Sequence, residues 1–404
     1  MTATVDAADV ERAAAAIEGH VVRTPLLPAP RLSELLGCEL RLKLENLQVT
    51  GSFKDRGACN KLQQIRRDLP DARGVVAASA GNHAQGVAWH ARALGLRATI
   101  VMPVGTPFSK VERTEALGAA VVLHGESVAE AQDHARELEQ RDGLVFVHPY
   151  DDPAIVAGQG TAAIELLADW PEVDCLVAPI GGGGLLAGMA VWARARRPDL
   201  RILGVQSAAC PSMHAVLHGM PPPTHAGLSL ADGIAVKRPG AITRALIERC
   251  VDRVTLVDET SIEQAVQVLA AQQKVVAEGA GAAAFAAVLA DPGAFAGTRT
   301  AVVVSGGNID RRMLSTVLLR GLARDGKVAR LRIEIRDVPG VLSSVTRLIG
   351  DTGADIIDIT HQRTFSRLPP RFAELDVIVE TRGRDHVEAI LTALRQQGFQ
   401  ASVV

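Results

Sequence analysis

The amino-acid sequence predicts an α/β protein with a mainly parallel sheet, followed by a second, smaller α/β domain. Short apolar runs alternate with amphipathic segments between residues 75 and 305, a rhythm typical of parallel strands joined by helical crossovers. Beyond residue 327 the pattern becomes strand, helix, strand, strand, helix, strand. The 404 residues also exceed the roughly 250 to 300 at which one hydrophobic core stops growing, so we expect two or more folding units.

The predicted strands of the first region are short and apolar, and most are followed by a helical segment that begins with Ser, Thr or Asp. They lie at residues 75–78, 98–102, 120–123, 144–147, 175–178, 202–205, 254–257 and 300–304. An alternating run at 40–45 predicts one more strand, and the segments 127–140 and 262–273 are predicted helices. Ligands bind beyond the carboxyl ends of strands in such sheets, so the loops at those ends form the candidate site.

Composition and charge exclude several functions. The formal net charge is -2 and the pI is near 6.6, so nothing draws the chain to nucleic acid or to a membrane surface. Charged residues interrupt the N-terminal segment, and the longest apolar stretch, 279–290, is shorter than the roughly 20 residues that span a bilayer. Five widely spaced cysteines without a Cys-x-x-Cys pair argue against a disulfide framework and a zinc site. We therefore expect a cytoplasmic protein that acts on small molecules.

A lysine between two glycines is the candidate nucleophile. The segment 52–57, Ser-Phe-Lys-Asp-Arg-Gly, follows the strand at 40–45 and opens a helix. Lys54 stands just past a strand end and next to the aromatic ring of Phe53, where a small ligand could reach its amine. The alternative is a first-turn helical lysine that points to water.

A Ser/Gly-rich loop at residues 79–86, Ser-Ala-Gly-Asn-His-Ala-Gln-Gly, lies between the strand at 75–78 and the next helix. Such a turn directs several backbone N–H groups to one point beside a helix N-terminus, which suits a carboxylate or a phosphate. Asn82 adds a neutral side-chain donor, although Ser79 or Asn82 could equally cap the helix. We expect His83 to be a loop or capping histidine, because no second metal ligand stands at a suitable spacing.

A run of four glycines follows the strand at 175–178. Its residues, with the leucine that follows, are Gly181, Gly182, Gly183, Gly184 and Leu185. Glycine disfavours regular structure, so four in a row indicate a backbone that closely approaches another group, usually a phosphate. Residues 182–187 also match G-x-G-x-x-A, a dinucleotide-binding pattern. That pattern needs an acidic residue after the next strand, where this chain has Gln206 and Ser207, so we favour a phosphomonoester.

A third loop, residues 305–308, Ser-Gly-Gly-Asn, comes directly after the strand at 300–304. By itself it is typical of a strand-to-helix turn. A serine at the carboxyl end of a strand can also offer its neutral hydroxyl to a ring nitrogen of a ligand. Ser305 alone indicates little, and gains meaning beside the other loops.

Together these four segments resemble, in their order and spacing, the pyridoxal-phosphate-dependent threonine dehydratases, also called threonine ammonia-lyases. The resemblance extends from about residue 24 to about residue 322. It implies the tryptophan-synthase-β-like fold, or fold type II, which that family shares with serine racemase. On this basis we assign residues 1–322 to a catalytic domain, with a smaller mobile subdomain at roughly 50–145, and residues 323–327 to a linker.

The resemblance also implies a role for each motif. Lys54 would form the Schiff base with the aldehyde of pyridoxal 5′-phosphate, and Phe53 would lie against its ring. Asn82 would bond the ring 3-oxygen, and Ser305 would meet the ring nitrogen. The phosphate would be held by Gly181, Gly182, Gly183, Gly184 and Leu185, and the substrate carboxylate by Ser79, Ala80, Gly81, Asn82 and His83. Glu278 aligns with an acidic position near the site, with a helix cap as an equal alternative.

The implied reaction converts L-threonine to 2-oxobutanoate and ammonia, with L-serine giving pyruvate as a secondary reaction. Lys54 must be neutral to take the Cα proton, and burial of its amine would lower its pKa. Racemisation needs a second acid or base, which is a serine in the racemases resembled here, and this chain has Ala80 at that position. A racemase or related lyase and a non-catalytic amino-acid sensor are the alternatives.

The same resemblance bears on metal binding. A divalent-cation site in this family uses acidic residues where this chain has Gln206 and Ser212. A magnesium or calcium site is therefore not expected, and a monovalent ion or no ion is the simpler interpretation. We assign no metal ligand in this sequence.

Residues 328–404 form the predicted second domain. Its strands are predicted at 328–335, 355–362, 374–380 and 400–403, and its helices at 343–349 and 385–397. This order is the ferredoxin-like plan, and the turn at 337–340, Asp-Val-Pro-Gly, resembles that of an ACT domain.

The ACT resemblance implies regulation and assembly. An amino-acid or nucleotide effector would bind near Asp337, Gly340, Val341 and Leu342. Pairing of such domains across subunits implies a homodimer or homotetramer, and a purely oligomerising module is the alternative. The sequence leaves open the effector, and whether the reaction serves isoleucine synthesis or threonine breakdown.

Overall fold

The computed structural model describes residues 4–225, 227–363 and 368–404. The chain forms two compact units, Met1–Ile309 and Asp310–Val404. Each unit has its own sheet system and its own hydrophobic core, so the elements of each are considered separately.

The first unit alternates strands and helices. Within the described residues its α-helices are α1 (Ala7–Ile17), α2 (Pro30–Leu36), α3 (Lys54–Asp68), α4 (Asn82–Ala93), α5 (Phe108–Ala116), α6 (Val128–Asp142), α7 (Pro153–Asp169), α8 (Gly184–Arg196), α9 (Ser212–Leu217), α10 (Ala241–Cys250), α11 (Glu259–Val268) and α12 (Gly279–Ala290). Its strands are β1 (Leu26–Pro28), β2 (Glu39–Leu44), β3 (Val75–Ala78), β4 (Ala98–Met102), β5 (Ala120–Leu123), β6 (Val145–Phe146), β7 (Cys175–Pro179), β8 (Arg201–Ser207), β9 (Arg253–Val257) and β10 (Arg299–Val304).

The strands predicted in the first unit are all present, and one predicted helix is divided. The sequence pattern predicts a single helix over 262–273, but α11 ends at Val268 and a π-helical turn, Leu269–Gln273, follows it. Lys274 then takes a left-handed conformation, with φ of 58°, which redirects the chain towards α12. Such π turns often occur next to functional sites.

The strands of the first unit form two sheets. The larger sheet has the order β1-β2-β10-β7-β8-β9, in which β1 pairs antiparallel with β2 and the other pairs are parallel. The smaller sheet has the order β5-β4-β3-β6 and is parallel. The predicted mainly parallel α/β fold is therefore confirmed. Parallel strands end at the same edge of a sheet, so the loops after β2, β7 and β10 share one edge.

Small residues allow the helices of the first unit to approach the larger sheet closely. Helix α12 is Ala/Gly-rich and buried on nearly every side, because Gly281 packs directly against the backbone of Gly306. Gly188 of α8 likewise packs against the backbone of Gly160 in α7. Within the residues described, no helix combines the length and the apolar character that a membrane crossing requires.

The second unit has a ferredoxin-like order. Its elements are α13 (Arg311–Arg324), β11 (Val328–Arg336), α14 (Val341–Asp351), β12 (Asp355–Gln362), β13 (Phe372–Glu380), α15 (Arg384–Gln396) and β14 (Gln400–Val403). The described strands form an antiparallel sheet in the order β12-β13-β11-β14, as the predicted fold requires. The helix α13, which the sequence pattern assigns to the catalytic domain, groups with this unit.

Candidate active site

Two of the predicted loops meet at the carboxyl edge of the larger sheet. Strands β2 and β10 are parallel neighbours, so the loops that follow them run side by side. The backbone N–H of Phe53 donates to the carbonyl oxygen of Ser305 at 3.0 Å, and the N–H of Gly307 donates to that of Gly51 at 2.9 Å. Backbone hydrogen bonds therefore hold the Lys54 loop and the Ser305 loop together.

Lys54 is the first residue of α3 and is half-buried. Its Nζ donates a hydrogen bond to the carbonyl oxygen of Pro149 at 2.6 Å and lies 5.2 Å from the centre of the Phe53 ring. Burial lowers the pKa of the amine to about 8, and the negative charge of Glu278 partly opposes this shift. The amine points into the protein, so the alternative of a solvent-facing lysine is wrong.

The glycine run lies between β7 and α8. A Cβ atom on Gly182 would overlap the ring of Tyr150, and one on Gly183 would press against Thr243. Gly183 also has a φ of +98°, a left-handed conformation that favours glycine. The close approach expected for a phosphate is therefore made first to protein atoms. The N–H groups in the first turn of α8 lack helix partners and can bind an anion.

The loop between β3 and α4 forms a tight turn. Ser79 Oγ accepts a hydrogen bond from the N–H of Gly81 at 3.2 Å. Helix α4 begins at Asn82 and no side chain caps it, so the alternative of a cap by Ser79 or Asn82 is wrong. The N–H groups of the first helical turn, which includes His83, suit a carboxylate. Ala80 offers this loop only its backbone groups.

His83 is buried and neutral. Its Nε2 donates to the carbonyl oxygen of Val147 at 3.0 Å, which leaves Nδ1 as the acceptor nitrogen. Burial lowers the pKa of the imidazole to about 3. Among the described residues, no group of three His, Cys, Asp or Glu side chains could hold a metal ion.

The two positions considered for a cation bond each other. Gln206 Nε2 donates to Ser212 Oγ at 3.3 Å, and Ser212 Oγ donates to the carbonyl oxygen of Val236. Gln206 Oε1 accepts the N–H of His214 at 3.0 Å. Both side chains are fully buried and are used in bonds within the protein.

Asn82 links the loop after β3 to the larger sheet. Its Nδ2 donates to Glu278 Oε1 at 2.6 Å, and its Oδ1 accepts from Asn308 Nδ2 at 2.8 Å. Glu278 precedes α12 but makes no cap bond with its side chain, so the helix-cap alternative is wrong. Sequence reasoning missed the role of Asn308, although this residue ends the predicted loop 305–308.

Comparison with known protein families agrees with this arrangement. The family model described as pyridoxal-phosphate dependent enzyme matches residues 17–306, and the ACT domain model matches residues 329–399. The first match covers more than half of the 404 residues. The chain belongs to the pyridoxal-phosphate-dependent enzymes.

This pyridoxal-phosphate-dependent enzyme has close relatives among curated and solved proteins. The L-threonine ammonia-lyase of Thermotoga maritima is 42% identical over 397 residues, which cover 98% of each chain. A solved bacterial threonine deaminase, from T.th., is 38% identical, with 76% of this chain and 99% of that one covered and a TM-score of 0.71. Maize serine racemase is 31% identical, with 80% and 99% covered and a TM-score of 0.74.

The residues of the site fit pyridoxal phosphate. Ser52 Oγ is fully buried and has no hydrogen-bond partner in the described structure, and Ser305 Oγ makes a long bond of 3.4 Å to the carbonyl oxygen of Ala280. Buried hydroxyls are rarely left without good partners, so these two indicate a ligand. The Lys54 amine, the N–H groups that open α8 and an N–H of Asn82 suit the aldehyde, phosphate and ring oxygen of the cofactor.

A loop between β6 and α7, which sequence reasoning missed, connects the parts of this enzyme's site. Tyr150 packs against the glycine run, and its hydroxyl donates to the carbonyl oxygen of Arg238 at 2.9 Å. Asp151 accepts hydrogen bonds from three N–H groups at the start of α10. Thr243 of α10 donates through Oγ1 to the carbonyl oxygen of Gly182 at 2.6 Å. The Asp-Asp-Pro sequence, a helix-start signal, marked this loop.

A buried ion network supports the helix that begins with Lys54. The Arg56 guanidinium donates to both carboxylate oxygens of Glu45 at 2.8 Å and to Glu165 at 2.6 Å. Lys43 Nζ donates to Glu165 at 2.5 Å. The network joins β2, α3 and α7, and its signal in the sequence was a lysine within an apolar strand.

The Asp-Val-Pro-Gly turn of the second unit lies between β11 and α14. Gly340 has a φ of +89°, and α14 begins at Val341. Asp337 forms an ion pair with Arg363 at 2.9 Å, so its carboxylate already has a partner. Leu342 is exposed, with 41% of its surface accessible. The residues predicted to bind an effector therefore lie together at one end of the antiparallel sheet.

Proposed function

We propose that this chain is a threonine ammonia-lyase, which converts L-threonine to 2-oxobutanoate and ammonia and L-serine to pyruvate as a secondary reaction. The observation that carries the proposal is the meeting of the Lys54 loop, the glycine run and the Ser305 loop at one sheet edge. The likeness to an L-threonine ammonia-lyase through 98% of the chain supports the same reaction.

Lys54 is the base of the proposed reaction. Pyridoxal phosphate, when bound, supplies an electron sink that acidifies the Cα–H bond of an amino acid. A lysine takes that proton only when it is neutral, and a pKa of about 8 leaves a useful fraction of Lys54 neutral near physiological pH. The bond from Nζ to the carbonyl of Pro149 holds the amine inside the site before substrate arrives.

Neutral groups surround the positions proposed for the cofactor. Ser305 would face the ring nitrogen with a hydroxyl, which carries no negative charge to hold a proton there. The N–H groups at the start of α8 would bind the phosphate without a charged side chain. This neutral setting weakens the electron demand on the substrate, which favours prompt loss of the β-hydroxyl over repeated proton exchange at Cα.

Racemisation is the competing reaction, because maize serine racemase shares the fold. It needs an acid or base on the face of the substrate opposite Lys54. Ala80 stands in the loop where the resembled racemases have a serine, and an alanine side chain cannot transfer a proton. The second alternative, a non-catalytic amino-acid sensor, would have no use for an inward-facing amine.

Product analysis with L-threonine tests the proposal. We expect 2-oxobutanoate as the main product, and D-threonine as the main product would support a racemase. Lys54→Ala should lower turnover about 10³-fold or more, in the range of a lost acid–base group. Lys61→Ala is the matched control, since this lysine lies on the same helix and pairs with Asp152 at 2.7 Å. Turnover by neither protein would support the sensor.

The second unit is proposed to regulate the first. The N–H groups that open α14 and the exposed turn around Gly340 suit the carboxylate of an amino acid or the phosphate of a nucleotide. The strands β12 and β14 are the edges of its sheet and could pair with another copy, which supports a homodimer or homotetramer. All five cysteines are buried free thiols, which supports a reducing compartment such as the cytoplasm.

A further inference from the structure

The side-chain amide of Asn82 has a fixed orientation. Asn308 Nδ2 donates to Asn82 Oδ1 at 2.8 Å and to the carbonyl oxygen of Thr50 at 2.7 Å. Asn82 Nδ2 donates to Glu278 Oε1 at 2.6 Å. Because a carboxylate only accepts hydrogen bonds, the amide cannot be turned over without losing both partners. One N–H of Asn82 therefore remains for a ligand.

Glu278 is enclosed by the site. Only 8% of its surface is accessible, and its backbone N–H donates to the carbonyl oxygen of Gly306 at 3.1 Å. The charged groups that face it are Lys54 of α3, Lys110 of α5 and Asp232, which form the remaining ionic surroundings. Burial raises the pKa of the Glu278 carboxyl to about 7, although the bond from Asn82 opposes the shift.

Lys54 has one carboxylate partner among the groups that act on it. Glu278 is the acid whose charge raises its pKa against the effect of burial. His83 of α4 and His148 after β6 also face Lys54, but burial lowers their pKa values to about 3 and about 4. Both imidazoles therefore stay neutral above pH 6, and Glu278 is the group left to balance a positive charge at Nζ.

We propose that Glu278 is a positioning residue with two separable roles. Its oxygen fixes the amide of Asn82 so that one N–H faces the ring oxygen of the cofactor, and its negative charge is the counter-ion of the Lys54 nitrogen. The first role needs only a hydrogen-bond acceptor at this position, whereas the second needs a charge. This inference rests on the proposed cofactor site and goes beyond it, since the proposed reaction assigns no task to Glu278.

Glu278→Gln and Glu278→Ala separate the two roles. Glutamine keeps an acceptor oxygen for Asn82 and removes the charge, whereas alanine removes both. The measurement is the rate of covalent cofactor uptake by the apoprotein as a function of pH, together with the dissociation constant of the cofactor. Asp232→Asn is the matched control, because it removes a neighbouring carboxylate that faces Glu278 and pairs with Lys110 at 3.1 Å.

For Glu278→Gln we expect the midpoint of the pH profile to move to lower pH, with cofactor affinity within about twofold of the wild type. Glu278→Ala should show the same shift and bind the cofactor roughly tenfold more weakly, because the Asn82 amide loses its partner. An unchanged midpoint in Glu278→Gln overturns the counter-ion role. Equal cofactor affinity in the two variants overturns the positioning role.

Asn308→Ala tests the same amide from its other end, should Glu278→Ala fail to fold. It should weaken cofactor binding roughly tenfold and leave the midpoint unchanged, because it removes no charge. Wild-type affinity in Asn308→Ala would overturn the fixed orientation. Absence of covalent uptake by the wild-type protein is a different result, since it rejects the proposed function and this inference with it.

Discussion

The pH at which Lys54 loses its proton determines how fast the apoprotein can join the cofactor aldehyde. The pKa of about 8, lowered from 10.5 by burial, makes roughly one amine in eleven neutral at pH 7 and about ten in eleven at pH 9. The rate should therefore rise about tenfold across this range and level off. An ordinary lysine of pKa 10.5 would give a rise of about a hundredfold with no plateau.

The assay mixes apoprotein with pyridoxal phosphate at a series of pH values. The absorbance at ~410 nm that accompanies the covalent bond gives the rate at each pH. A simple alkylamine measured beside it corrects for the titration of the cofactor itself, and Lys54→Ala should show no such phase. A hundredfold rise without a plateau would show that Lys54 lies in water, and the structural argument for its role as a base would then fail.

Three substitutions test other parts of the account. Gly182→Ala should weaken cofactor binding about 5- to 150-fold, because overpacking against Tyr150 costs about 1 to 3 kcal/mol and moves the backbone that faces the phosphate; equilibrium titration with the cofactor measures it. Arg56→Met should lower the free energy of unfolding by about 3 to 5 kcal/mol, since Glu45 is left buried and unpaired; urea denaturation measures it. Gly340→Val should abolish the response to isoleucine, valine or AMP and leave basal activity intact, because its φ of +89° disfavours valine.

Each of these substitutions has a control that the structure supplies. Gly105→Ala adds a Cβ with nothing within 4 Å, so cofactor binding should stay unchanged. Arg12→Met removes an exposed ion pair, which contributes little to stability. Gly350→Ala, in the same helix that follows Gly340, also meets nothing within 4 Å. Equal effects in a variant and its control would contradict the corresponding argument.

The loops of the site could be predicted from the sequence because each one interrupts a regular pattern. Lys54, the glycine run and Ser305 each follow an apolar run that forms a strand of the larger sheet. Strand periodicity fixes where such runs end, and parallel pairing brings the ends to one edge. The same reasoning gave the second unit, whose alternating strands are amphipathic.

The contacts around these loops could not be predicted, because they depend on packing between elements that are distant in the sequence. Tyr150 fills the space beside Gly182, and nothing in either local sequence specifies the other. Glu278 lies 196 residues from Asn82, with which it shares a hydrogen bond. A helix-cap signal was visible at Glu278, but the chain direction set by the π turn places its side chain in the site instead.

The identity of the lysine that carries the cofactor is the most direct test of the account. Protein loaded with pyridoxal phosphate can be reduced with borohydride, digested and mapped by mass spectrometry. We predict one reduced cofactor per chain, on the peptide that contains Lys54. A cofactor on another lysine, or a Lys54 peptide that remains unmodified in protein with full cofactor absorbance, would contradict the assignment.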